Sequence, residues 1–120
     1  MQMTPNINFS YFWDKLNNST FTTFRSWTLE KEKYYHSKLN KKFHVWKVQN
    51  DYPYKPDFVI FDAWLKDVKV IPPSEIPQSV IDKDVSLHGV VVMAWHEKIL
   101  KMDKIIILTL SKTKTLKTED

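Results

Sequence analysis

Thr23-Phe24-Arg25 carries the two side chains of this chain best suited to gripping or attacking a ligand. Seventeen lysines supply every other fixed positive charge, and Arg25 is the single arginine. That bias matters because only the guanidinium is planar and can form two parallel hydrogen bonds or lie flat against a ring. On extended backbone alternate residues share a face, so Phe21, Thr23, Arg25 and Trp27 line up as a ring, a hydroxyl, a fork and a second ring. The fork suits a phosphate or a base edge, and the rings suit an unpaired base. Lys31, Lys33, Lys41 and Lys42 follow and can neutralise phosphates. A purely structural use competes with this one: Arg25 paired to a buried carboxylate, Asp62 or Asp84, would hold the sheet closed.

The distribution of charge fits a nucleic-acid partner. Residues 1–50 hold eight bases against three acids and 11 of the 17 aromatic residues, whereas residues 51–110 hold seven bases against nine acids. Interleaved bases and rings are the ingredients of single-strand binding, so RNA or another single-stranded nucleic acid is an expected partner. A solvated basic face over an aromatic core has the same composition. Other chemistries find less in the sequence. The absence of cysteine excludes disulfides, thiol catalysis and cysteine zinc sites. His88 and His96 stand eight apart, outside the two-histidine helix motif of zinc peptidases, and His36 and His44 lack a carboxylate or cysteine at ligand spacing. Gly89, the lone glycine, excludes a phosphate-cradling glycine loop. No metal and no cofactor are expected. Asp82 and Asp84 read as helix-start acids that complement the dipole, and residues 90–93 with Trp95 read as core.

These side chains need elements to position them. At 120 residues the chain is expected to form one domain over 1–110, with 111–120 too poor in apolar residues to pack and read as a frayed basic tail. The opening residues have neither a basic nor an apolar leader region, and no apolar run reaches the roughly 20 residues of a membrane span. The expected compartment is the cytoplasm. Phe9, Phe12, Trp13 and Leu16 have helical spacing, so residues 8–16 read as a helix stopped at Asn17-Asn18. Residues 19–27 are β-branched and aromatic and read as a strand. Residues 28–40 read as a charged connection, 42–48 as a strand, and 51–56 as a proline-marked loop. Residues 58–71 read as a long strand bent near 64–66. Residues 74–83 read as a short helical turn, and a longer helix capped by Asp84 or Ser86 is expected to run to about 101. Residues 104–110 read as a buried strand. The class is α+β with a small curved β-sheet.

The pieces NFSYFWDKLNNSTFTTFR, YYHSKLNKKFHVWKV, DVKVIPPSEIPQSVIDKDVSLHGV and DKIIILTL together resemble the ASCH superfamily over roughly residues 8–110. The resemblance implies a PUA-like pseudo-barrel flanked by two to three helices. Asn18 and Asn40 stand where that family has glycine and retain access to positive φ. Some small ASCH proteins hydrolyse the amide of N4-acetylcytidine with a lysine, a threonine and an acid. By the resemblance the threonine matches Thr23 and the acid falls at or near Asp84, but Thr20 occupies the lysine's position. Without an amine nothing activates the threonine hydroxyl, unless Lys15 reaches across. The leading expectation is therefore an RNA-binding module with its cleft around Thr23 and Arg25. A modified-nucleoside amidohydrolase stands second, and a regulatory protein-interaction domain third.

Overall fold

A computed structural model of the chain describes residues 4–49 and 56–113. Five strands form a mixed sheet: β1 (Asn6–Phe9), β2 (Thr20–Ser26), β3 (Lys42–Val48), β4 (Pro56–Ile71) and, by its place in the chain, β7 (Ile105–Ser111). Between β4 and β7 lies a hairpin of β5 (Ser86–Leu87) and β6 (Val90–Val91). Three helices complete the α+β architecture: α1 (Leu29–Ser37), α2 (Gln78–Asp84) and α3 (Met93–Leu100).

Sheet order is β1-β3-β4-β7-β2, with β1 parallel to β3 and the other pairs antiparallel. The edges β1 and β2 do not pair with each other, so among the described residues the sheet is open rather than a closed barrel. β7 is its apolar centre, with Ile105, Ile106, Leu108 and Leu110 all fully buried between β4 and β2. Phe43, Val45, Ala63 and Leu65 extend the same core through β3 and β4. β4 shifts register between Leu65 and Asp67, which is the bend expected near 64–66.

Several expectations are corrected. Residues 8–16 are not a helix. Ile7 and Phe9 are buried while Asn6 and Asn8 are exposed, a period of two that makes β1, and Phe12 faces solvent. Only a 3-10 turn, Asp14–Asn17, remains, burying Trp13 and Leu16. Asn18 has φ −87, so it does not use the left-handed region, whereas Asn40 does at φ 66. Residues 28–40 contain α1, capped by Thr28 Oγ1 accepting from the Lys31 backbone N–H at 3.0 Å. The long helix after Asp84 is instead a hairpin followed by the shorter α3. His88 at φ 55 and Gly89 at φ 80 form its two-residue turn, the backbone that tight hairpins require. Asp82 and Asp84 accordingly sit at the C-terminal end of α2 rather than at a helix start. Val90 and Met93 are exposed, so only part of residues 90–93 packs inward. The frayed tail expected from residue 111 does not begin there: Ser111 ends β7 and is buried, and Lys112 donates from its backbone N–H to the Ser19 carbonyl at 2.8 Å and from Nζ to the Leu16 carbonyl at 2.6 Å. The proline-marked loop 51–56 lies outside the described residues up to Pro56, as do the residues beyond Thr113.

Candidate functional site

A cavity of about 320 Å³ opens beside β2, lined by Thr23 and Arg25, by the 3-10 turn through Lys15, by Asp84 at the end of α2, and by Trp95 and Lys98 of α3. Each element has a local reason to be there. The apolar residues of β2 pair with β7, placing Thr23 opposite Leu108 and Arg25 opposite Ile106. Burial of Trp13 and Leu16 seats the 3-10 turn and carries Lys15 inward. Ile81 and Val85 bury the end of α2 and bring Asp84 with them.

Lys15 Nζ donates to Asp84 Oδ1 at 2.8 Å, with Lys15 only 7% and Asp84 only 5% exposed. Thr23, at 3% exposed, shares the cavity with them. Burial pushes the Lys15 ammonium down to about 8, against the pull of Asp84, which favours the charged form, and Arg25 lowers it further. Burial pushes the Asp84 carboxyl up, opposed by Lys15, by Arg25 and by the backbone N–H of Phe24. Phe9 lies beneath both cations, its ring centroid 5.3 Å from Lys15 Nζ and 5.1 Å from the Arg25 guanidinium carbon.

Arg25 makes neither of the ion pairs considered for it. One terminal nitrogen donates to the Asn8 backbone carbonyl at 3.1 Å, while its buried Nε has no hydrogen-bond partner among the described residues. Asp62 pairs instead with His44 Nδ1 at 2.6 Å and Lys42 Nζ at 3.8 Å. Burial holds the Arg25 guanidinium below its usual range, with Asp84 favouring the charged form.

Other residues singled out in the sequence lie elsewhere. Phe21 is core, edge-on to Phe61 and Phe9. Trp27 donates from Nε1 to Glu32 at 2.7 Å and carries Lys104 3.9 Å above its ring, so it does not line the cavity. Lys31 does line it and donates to Ser26 Oγ at 2.8 Å. Lys33, Lys41 and Lys42 are exposed and outside it. Thr20 is exposed at the start of β2 and also outside. The sequence did not single out Lys98, Tyr11 or Trp13 as lining residues, nor a role for Trp95 beyond core packing. No spacing rule joins α3 and the segment after β1 to residues 23–25. No group of three or more potential metal ligands occurs among the described residues, and no described helix is long and apolar enough to cross a membrane.

Compared with known proteins, the chain matches no family, no curated protein and no solved structure.

Proposed function

We propose that this chain is an ASCH-like amidohydrolase acting on an acylated nucleoside, with Thr23 as nucleophile, Lys15 as proton carrier and Asp84 holding the amine. The observation that carries the reading is the buried Lys15–Asp84 pair, 2.8 Å apart, in one cavity with Thr23. Lys15 supplies from the 3-10 turn the amine that Thr20 does not. A volume of about 320 Å³ lies at the small end of small-molecule sites, enough for one nucleoside rather than a strand.

The reaction follows from the chemistry of these groups. A neutral Lys15 accepts the Thr23 hydroxyl proton as Oγ1 attacks the acyl carbon. The C–N bond breaks, and the departing nitrogen takes that proton from Lys15. Water then cleaves the threonyl ester, releasing the carboxylic acid and restoring the hydroxyl. Asp84 stabilises the lysine ammonium formed between the two transfers. Strand binding has less support, because Phe21 is core and Trp27 is held by Glu32.

The test is hydrolysis of N4-acetylcytidine to cytidine and acetate by the purified protein. Turnover is expected, and Thr23→Val, Lys15→Met and Asp84→Asn should each lower kcat on the order of 100-fold or more. A folded wild-type protein without turnover, or variants that retain it, would overturn the assignment.

A further inference from the structure

The cavity is electrically unbalanced. Four cations line it, Lys15, Arg25, Lys31 and Lys98, against one carboxylate, Asp84, which already accepts from Lys15. None of the other three has an ion-pair partner among the described residues. Lys31 donates to the neutral Ser26 hydroxyl, Lys98 stands 4.5 Å above the Trp95 ring, and Arg25 donates to a backbone carbonyl. The buried Nε of Arg25 has no partner at all among the described residues. A buried donor left unsatisfied costs free energy, and Asp84, the one carboxylate of the cavity, is already bonded to Lys15 while Lys31 and Lys98 stand exposed at its edge with no acid in ion-pair reach among the described residues.

We infer that the cavity takes its nucleoside as a 5′-monophosphate, with the phosphate held by Arg25, Lys31 and Lys98. This refines the substrate of the hydrolase reading and rests on it. The guanidinium fork suits two phosphate oxygens, and the two ammonium groups add charge without demanding a fixed geometry. A doubly charged phosphate offers three terminal oxygens for three cations, whereas a carboxylate offers two. Thr23 and Arg25 share one face of β2, so the reacting hydroxyl and the anion site belong to the same cavity. A single nucleotide is favoured over a nucleic-acid strand because Lys33, Lys41 and Lys42 do not continue the lining.

Calorimetric titration with cytidine, cytidine 5′-monophosphate and a short single-stranded oligocytidine tests this. The monophosphate should bind at least about tenfold more tightly than cytidine. Arg25→Lys keeps the charge but removes the fork, and should erase most of that preference. Lys98→Ala, at an exposed position where folding is not at stake, should reduce it several-fold. A monophosphate that binds no more tightly than cytidine, including the case where neither binds, overturns the inference. So does an oligonucleotide that binds more tightly than the monophosphate. N4-acetylcytidine turnover is measured separately and decides the hydrolase reading, so the two failures are distinguishable.

Discussion

A lysine with its pKa near 8 gives the site two measurable pH dependences. If the neutral amine accepts the threonine proton, kcat/KM for N4-acetylcytidine should rise as pH passes through about 8 and level off above it, since this ratio reports the free enzyme's groups. A profile flat between pH 6 and about 9 would remove Lys15 from the proton path. Stability should follow the same group. Between about 8 and 10.5 the unfolded chain still holds the Lys15 proton that the folded chain has released, so stability rises with pH across that window. Lys15→Met should abolish this slope in denaturant titrations, while leaving Asp84 buried without its cation. Phe9 offers a milder probe of the same cluster. Phe9→Leu keeps an apolar side chain in the core but removes the ring beneath Lys15 and Arg25, and should cost on the order of 1–3 kcal/mol from lost packing and cation–π attraction together.

Among the elements, the β5–β6 hairpin is tied to the rest of the fold through one side chain with three hydrogen bonds. Asp14 accepts from the backbone N–H groups of His88 and Gly89, both at 2.8 Å, and from Ser86 Oγ at 2.7 Å. These bonds, the one from Gly89 foremost, hold its carboxyl below the ordinary range. Its contribution is therefore present above pH 3.8 and lost as pH falls through the depressed value. Asp14→Asn should lower the thermal midpoint at neutral pH and flatten the acid limb of the stability profile; an unchanged acid limb would contradict this. Gly89→Ala tests the turn itself. A Cβ there meets nothing within 4 Å, so the cost is that of φ +80 alone, about 1–2 kcal/mol. The sequence could not display this arrangement, because His88-Gly89 is a weak turn signal and Asp14 lies 74 residues from His88. The helical period of residues 8–16 misleads for a related reason. Phe9, Phe12, Trp13 and Leu16 fit a helical period, but Ile7 and Phe9 fit a strand, and pairing with β3 decided between them. β2, β3, β4 and β7 were legible because their β-branched and aromatic runs are long and bounded by prolines, asparagines or charge.

At the scale of the whole molecule, the site exists only once the chain has closed on itself: Lys15 and Asp84 are 69 residues apart. Of its members Thr23, Arg25 and Asp84 were readable from residue type and resemblance, whereas Lys15 stood only as a reach across the fold and Lys98 not at all. Their support is the interior strand β7, which pairs with β2. Leu108, fully buried and opposite Thr23, should cost about 2–5 kcal/mol when changed to alanine. Loss of N4-acetylcytidine turnover in that variant beyond its unfolded fraction would show that β7 positions the hydroxyl as well as filling the core. The neighbouring residues Asp14 and Lys15 grip different parts of the molecule, one the hairpin tip and the other the end of α2. Because the chain has one glycine, a sample labelled with nitrogen-15 glycine alone gives a single backbone amide resonance. That nucleus, hydrogen-bonded to Asp14, is a ready-made spectroscopic reporter on the residue next to Lys15.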